Sequence, residues 1–89
     1  MTERSVKIVN ELGFHARAAA RFVSEANRFR SQIFLVRDGE KVEGKSILGI
    51  LQLAAPRGTE LTIQANGPDE NDALESLSAL IEDRFGEER

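Results

Sequence analysis

The sequence predicts an α+β fold, a two-layer sandwich in which helices cover one face of an antiparallel sheet. Four short segments alternate apolar and polar residues or are rich in β-forming residues, as strands are. Three other segments space their apolar residues at helical intervals. The dipeptide Asp38-Gly39 separates two of the strand-like segments and is a strong signal for a hairpin, so those two strands are expected to pair antiparallel. The resulting element order is β-α-β-β-α-β-α.

The strands are predicted at Ser5–Asn10, Gln32–Arg37, Glu40–Glu43 and Glu60–Asn66. The first helix is expected to run from Ala16 to about Ala26. The second is a brief helix over the segment ILGILQL, with Ser46 as its N-cap, because a serine oxygen accepts a bond from an unpaired N–H. The third follows a Gly-Pro-Asp turn, in which Asp69 is the expected N-cap, and continues to about Asp83.

Length and composition limit the possible functions. The 89 residues are expected to form one domain, residues 1–89. The chain has no cysteine and one histidine, which argues against disulfides and against a transition-metal site. The net charge of −3 argues against a general nucleic-acid binder. The chain has neither an apolar run long enough for a membrane span nor an N-terminus like a signal peptide, so a cytoplasmic protein is expected.

The one histidine, His15, stands directly before the first predicted helix. The N–H groups of Ala16, Arg17 and Ala18 have no intrahelical partner there, and they point towards the imidazole with the positive end of the helix dipole. This environment favours a neutral, nucleophilic ring and is suited to hold an anion. Arg17, and Arg21 one turn further on, add positive charge on the same face. An exposed His15 that could carry a phosphoryl group is therefore expected.

Each of these residues also has an ordinary structural interpretation. A single histidine is more often a surface or structural residue than a reactive one. Histidine is not among the preferred N-cap residues, however, so its position lacks a good structural reason. Arg17 and Arg21 alone would be an ordinary solvated face, and Ser46 alone would be a simple helix cap.

Three stretches, NELGFHARAAA, GKSILGILQLAA and GPDENDAL, resemble the HPr family of histidine-containing phosphocarriers in the bacterial phosphoenolpyruvate-dependent sugar phosphotransferase system. The resemblance covers nearly the whole chain in order. It implies an open-faced β-sandwich, with a four-stranded antiparallel sheet covered on one face by three helices, which agrees with the element order above.

The resemblance also implies a role for several residues. His15 would accept a phosphoryl group on Nδ1 from enzyme I and pass it to IIA proteins of sugar transport or of a regulatory relay. Arg17 matches the arginine that steadies the phosphoryl group. Ser46 matches a serine that HPr kinase/phosphorylase modifies in many, but not all, bacteria. The protein would be a carrier without turnover of its own, and no cofactor, metal, nucleic acid or membrane is implied.

Two residues depart from the family's pattern: Ala18 stands where proline is usual, and Phe14 stands where an aliphatic residue is commoner. Proline is tolerated in a first helical turn because its missing N–H would be unpaired anyway. Alanine fits equally well and adds a donor, so the function is expected to survive.

A docking surface is expected beside His15. Ile50 and Leu53 suffice for the buried face of the brief helix, which would leave three of its other apolar side chains exposed, as at a protein interface. The expected docking residues on the first and second helices are Ala20, Arg21, Ser24, Ile47, Leu48 and Leu51. The alternative is that all five apolar residues of the brief helix are buried.

Two other functions remain open alongside a monomeric phosphoryl carrier. A regulatory domain of the same fold would bind partners through the Arg17 and Leu48 surface without being phosphorylated, although it would not need His15. A small-molecule-binding domain would need a ligand pocket or a dimerising sheet edge, and neither is indicated by the sequence.

Overall fold

A computed structural model describes all residues, Met1–Arg89, and has the predicted element order. The strands are β1 (Thr2–Lys7), β2 (Gln32–Arg37), β3 (Glu40–Glu43) and β4 (Glu60–Asn66). The helices are α1 (Ala16–Ala26), α2 (Ile47–Leu53) and α3 (Glu70–Glu82), followed by a short 3₁₀ turn, the C-terminal turn (Arg84–Gly86). None of the helices is long and apolar enough to span a membrane.

The four strands form one antiparallel sheet in the order β1-β4-β2-β3. On one face, alternate residues of the central strands, such as Leu35 and Ile63, are fully buried. These side chains pack with the apolar stripes of the helices, including Phe22 of α1 and Leu77 of α3, in one continuous core. The helices therefore cover one face of the sheet, as the sequence predicted.

The prediction of β1 was wrong at both ends. The strand begins at Thr2 rather than Ser5 and ends at Lys7 rather than Asn10. Its polar first residues pair through their backbone with β4, because an edge strand with one solvated face needs no apolar side chains at its end. Val6 and Ile8 are both buried, so the predicted alternation was correct although the bounds were not.

The hairpin between β2 and β3 is formed as predicted. Asp38 and Gly39 have φ angles of 50° and 82° and connect the paired residues Arg37 and Glu40. Positive φ at both central residues is the geometry of the tight turn that matches the twist of antiparallel strands. The guanidinium of Arg37, the last residue of β2, donates to the carbonyls of Leu53 and Ala54. It thereby pairs carbonyl groups at the end of α2 that have no partner within the helix.

Helices α1 and α2 lie side by side and run antiparallel. The N–H of Phe14, before α1, donates to the carbonyl of Ala55, after α2, at 2.9 Å. At the opposite end, Lys45, before α2, donates to the carbonyl of Phe29, after α1, at 2.8 Å. The start of α1 therefore lies next to the end of α2.

Asp69 is at the N-cap position of α3, but its carboxylate does not cap that helix. It accepts hydrogen bonds from the backbone N–H groups of Arg30 and Ser31 and from the Ser31 hydroxyl, at 2.9, 3.0 and 2.5 Å. The predicted N-cap position is therefore correct, but the carboxylate makes no capping hydrogen bond, because three donors in the loop before β2 compete successfully for the same oxygens. The carboxylate ties the start of α3 to that loop.

These bonds predict how acid affects stability. The Ser31 hydroxyl first, and then the Arg30 N–H, hold the pKa of Asp69 below its ordinary value of 3.8. A group with a lowered folded-state pKa stabilises the protein above its unfolded-state pKa, and this stabilisation is lost as the pH falls through the folded-state value.

We expect Asp69→Asn to lower the urea midpoint of unfolding at pH 7, because the amide places a donor against donors. The difference from wild type should shrink as the pH falls below about 4. Asp38→Asn is the matched control, since Asn fits the exposed hairpin turn equally well. A constant difference between Asp69→Asn and wild type from pH 7 to pH 3 would contradict this assignment.

Candidate phosphoryl-acceptor site

His15 is the N-cap residue of α1. Its backbone is extended, with φ −80° and ψ 179°, and its Nδ1 accepts from the N–H groups of Arg17 and Ala18 at 3.2 and 3.4 Å. Two of the three donors predicted to face the imidazole therefore do so, and Ala16 makes no such bond. The N–H that alanine adds at position 18, relative to proline, is one of the two donors.

The other ring nitrogen, Nε2, forms a very short contact with a carboxylate oxygen of Glu87. Because Nδ1 accepts two hydrogen bonds, the ring proton belongs on Nε2, where it is donated to Glu87. The second oxygen of Glu87 accepts from the side-chain amide of Asn10 at 3.0 Å, and the same amide donates to the carbonyl of Gly13 at 2.7 Å. The imidazole therefore lies between a helix N-terminus and a buttressed carboxylate.

The partners of Glu87 determine its ionisation. Burial raises the pKa of this carboxyl, but hydrogen bonds from Asn10 and His15, together with the positive charge of Arg21, outweigh burial and bring the pKa below its ordinary value of 4.5. Glu87 is therefore a carboxylate at neutral pH, and it faces His15 as a negative charge.

The His15 side chain is less accessible than the sequence predicted. It is 26% exposed and Glu87 is 17% exposed, because the segment after α3 folds back over the ring. The sequence analysis assigned no role to this segment. The correction is that it forms one wall of the site.

Aromatic packing holds the C-terminal turn against α1. Phe85 is buried and its ring centroid lies 4.9 Å from that of Phe14, which packs edge-on against Phe22 at 5.6 Å. Phe85 and Arg84 both have positive φ angles, 55° and 57°, a conformation that is unfavourable for large side chains. Burial of a phenyl ring offsets that cost, and it gives Phe14 a structural role.

Two polar contacts also fix the turn and the residues after it. The guanidinium of Arg21 donates to the carbonyl of Phe85, and the N–H of Glu11 donates to the carbonyl of Arg89 at 3.0 Å. Arg21 was predicted to serve in docking, and the structure adds this internal contact to an otherwise exposed side chain.

Arg17 is exposed and makes no side-chain hydrogen bond or ion pair within the chain. It lines an open cleft of about 610 Å³ together with His15. The other lining residues are Glu11, Leu12, Arg21, Gly86, Glu87, Glu88 and Arg89. A free guanidinium at the mouth of this cleft is available to an anion on His15. Nowhere does the structure gather three His, Asp or Glu side chains that could hold a metal ion.

Ser46 caps α2: its hydroxyl accepts from the N–H of Gly49 at 3.1 Å. Since α1 and α2 are antiparallel, Ser46 lies at the end of α2 that is far from His15. The seven residues of α2 separate the two sites by about 10 Å along the helix axis. Both residues start helices, but the two helix starts lie at opposite ends of the pair.

The exposed apolar residues of α2 are those that the sequence predicted. Ile47, Leu48 and Leu51 are 42%, 68% and 37% exposed, whereas Ile50 and Leu53 are buried. On the neighbouring α1, the expected docking residues Ala20, Arg21 and Ser24 are exposed as well. An apolar patch on α2 therefore adjoins a basic and polar face on α1.

Several groups at the site carry little signal in their local sequence. Asn10 was predicted to end a strand, and neither Glu87 nor Leu12, which is 71% exposed beside the cleft, was singled out. The one usable signal was Phe85, because a lone aromatic residue in a charged segment suggests that the segment packs against the protein.

Comparison with known proteins gives a consistent result. The family described as "PTS HPr component phosphorylation site" matches residues 2–83. A phosphocarrier protein HPr from Cupriavidus necator is 46% identical over 87 residues, which are 98% of this chain and 98% of that protein. The crystal structure of an HPr from Thermoanaerobacter tengcongensis matches with a TM-score of 0.96 and 45% identity, and it covers 100% of both chains.

A second type of relative is also similar. The crystal structure of the Bacillus subtilis catabolite repression protein Crh is 48% identical to this chain, with a TM-score of 0.77. The match covers 94% of this chain and 97% of that one, and that protein forms a domain-swapped, intertwined dimer.

Proposed function

Because this chain belongs to the HPr family of phosphocarrier proteins, we propose that His15 is its phosphoryl acceptor and that Nδ1 carries the group. The protein is a phosphoryl carrier and has no independent turnover. The observation that supports the acceptor assignment is the placement of Nδ1 against two N–H groups at the start of α1, with the proton on Nε2. The lone pair of Nδ1 is therefore the nucleophile.

The start of α1 is suited to both states of the carrier. In the free protein, the N–H groups of Arg17 and Ala18 donate to Nδ1. When Nδ1 attacks phosphorus, its lone pair becomes a bond, and the same N–H groups are released to donate to the phosphoryl oxygens. The guanidinium of Arg17 adds charge-assisted hydrogen bonds to these oxygens.

The partners follow from the family. Phosphorylated enzyme I is the proposed donor, and IIA proteins of sugar transport or of a regulatory relay are the proposed acceptors. The proposed docking surface combines the apolar patch of Ile47, Leu48 and Leu51 with Arg21 and the neighbouring exposed face of α1. HPr kinase/phosphorylase is the proposed partner of Ser46. The proposed carrier is a cytoplasmic monomer, and a swapped dimer like that of Crh would appear in its measured molar mass.

A purely regulatory role, without phosphorylation of His15, is the second candidate, because Crh is as similar in sequence to this chain as an HPr protein is, at 48% against 46% identity. His15, with both ring nitrogens engaged and a free Arg17 beside it, favours the carrier. Phosphoryl acceptance distinguishes the two candidates directly.

We expect His15→Ala and His15→Asn to abolish phosphoryl acceptance, because both remove the nucleophile. Asparagine is a good N-cap, so His15→Asn also preserves the start of α1. The assay is incubation with phosphoenolpyruvate and enzyme I, followed by intact mass. Circular dichroism serves as the control for folding. Acceptance of an acid-labile phosphoryl group by His15→Asn would show that the acceptor lies elsewhere.

Arg17→Ala is expected to slow phosphoryl transfer about tenfold to a hundredfold, since a hydrogen bond to a charged group contributes about 1.5–3 kcal/mol. Arg21→Ala is expected to have a smaller effect. The part due to its charge weakens with salt, because that charge acts on the approach of the partner. The lost hydrogen bond to the carbonyl of Phe85 adds a part that salt leaves unchanged. The rate of phosphoryl transfer is measured for each variant at low and high salt, from reactions quenched at timed intervals. Equal and salt-insensitive losses would contradict this division of roles.

Ser46→Asp is expected to slow phosphorylation of His15 by raising the KM for the carrier. The two sites are offset by at least about 10 Å along the axis of α2, and salt screens exposed charges over about 8–10 Å, so the added charge acts on docking rather than on the ring. Phosphoserine, with a charge of about −1.5 to −2, should inhibit more strongly.

The matched control for Ser46→Asp is Ser5→Asp, which adds the same charge to the solvated face of the sheet. The rate of phosphorylation is measured against carrier concentration at low and high salt. If Ser46→Asp had no effect at low salt, Ser46 would lie outside the docking surface and would be only a helix cap.

A further inference from the structure

We propose that Glu87 is a positioning residue for phosphoryl transfer, whose carboxylate holds the His15 proton on Nε2 and faces the positive charge that the ring acquires when Nδ1 is phosphorylated. This inference rests on the proposed function of His15 as the acceptor. It assigns a role in the reaction to the segment after α3, which lies outside the matched residues 2–83.

The carboxylate of Glu87 is fully committed within the site. One oxygen contacts Nε2 of His15 and the other accepts from the amide of Asn10. Asn10 is completely buried, and its amide also donates to the carbonyl of Gly13, two residues before His15. The carboxylate is therefore fixed relative to the backbone that carries the imidazole.

The segment that carries Glu87 is itself anchored. Phe85, two residues earlier, is buried against Phe14, which adjoins His15 in the sequence. The guanidinium of Arg21 holds the carbonyl of Phe85, and the N–H of Glu87 donates to the carbonyl of Arg84 at 2.9 Å. These contacts hold the segment, and with it the carboxylate, at a fixed place beside the ring, as a residue that positions a reacting group requires.

The charge balance of the transfer step shows what the carboxylate does. The lone pair of Nδ1 forms the new bond to phosphorus, and the donor atom departs from phosphorus with its own bonding pair. No proton leaves Nε2, so the imidazole becomes positively charged while the phosphoryl group keeps its negative charge. The carboxylate of Glu87 is already hydrogen-bonded to Nε2 and stabilises this charged ring without reorganisation.

Several positive groups also lie close to the ring. Arg17 and Arg21 line the same cleft, and the N-terminus of α1 is positive. These groups favour the phosphoryl oxygens but oppose a cationic imidazole. Glu11 and Glu88 also line the cleft, but neither is bonded to the ring. Glu87 is thus the one negative group placed to offset the charge of the ring.

The decisive variant is Glu87→Gln, which keeps the size of the side chain and an acceptor oxygen but removes the charge. Glu82→Gln is the matched control, since Glu82 is exposed at the end of α3, makes no side-chain hydrogen bond or ion pair, and does not line the cleft. The phosphorylated fraction of each carrier is measured by intact mass at equilibrium with enzyme I, at fixed ratios of phosphoenolpyruvate to pyruvate. The rate of phosphorylation is measured against carrier concentration.

Because a hydrogen bond to a charged acceptor is roughly twice as strong as one to a neutral acceptor, Glu87→Gln should lower the equilibrium constant for phosphorylation by about five- to tenfold. The kcat should fall while the KM stays near the wild-type value, since Glu87 contacts the ring rather than the partner. Glu82→Gln should match wild type in all three quantities.

Two results would overturn the inference. An unchanged equilibrium constant for Glu87→Gln would show that the carboxylate does not stabilise the phosphorylated ring. Faster phosphorylation with a lower KM at low salt would show that Glu87 merely repels the anionic donor.

A further measurement on wild-type protein does not depend on how any variant folds. The Nε2 proton of His15 is expected as a slowly exchanging, downfield NMR signal in both the free and the phosphorylated carrier, and its absence from both would also overturn the inference. Failure of the proposed function is distinguishable, because in that case His15→Asn would still accept the phosphoryl group.

Discussion

The unpaired N–H groups at the start of α1 are the constraint on which this site depends. They require an acceptor, and the chain supplies an imidazole where a small oxygen-bearing side chain is usual. The same group must therefore satisfy a helix terminus at rest and act as a nucleophile during transfer. The conflict is resolved because a phosphoryl group brings its own acceptor oxygens, so the helix terminus is satisfied both before and after the reaction.

Several parts of the molecule serve this one arrangement. The antiparallel packing of α1 and α2 places an apolar patch of α2 alongside the exposed face of α1, and both helices contribute to the core that covers the sheet. The aromatic cluster of Phe14, Phe22 and Phe85 joins the loop before His15, the helix after it and the C-terminal turn. Packing in the core thereby fixes the distance between the two groups that flank the imidazole.

The fold was largely predictable because its signals are local. The Asp38-Gly39 turn, the alternation over Glu60–Asn66 and the apolar stripe of α1 each act within a few residues, and the structure bears out all three. The N-cap position of His15 was predictable for the same reason. The start of β1 was not, because its polar residues are ordered by backbone pairing with β4 and carry no side-chain pattern.

The contacts that were missed are those between residues far apart in the chain. Glu87 and His15 are 72 positions apart, and Asp69 bonds to a loop 38 positions before it. Propensity and periodicity carry no information at such separations. Both missed acids also look ordinary locally, one in a charged tail and the other before a helix, where a capping role is the usual outcome.

The separation of His15 and Glu87 along the chain has a consequence for local stability. Proteins open in parts, and a short segment held by few contacts opens at a lower free energy than the core. The six residues that follow Asp83 are such a segment, anchored chiefly by one phenyl ring and one guanidinium. When this segment detaches, His15 keeps its helix cap and loses its carboxylate while the sheet and three helices stay intact. If Glu87 acts as proposed, we expect the reactivity of the imidazole to follow the local opening of this segment, which amide hydrogen exchange of residues 84–89 measures separately from global unfolding.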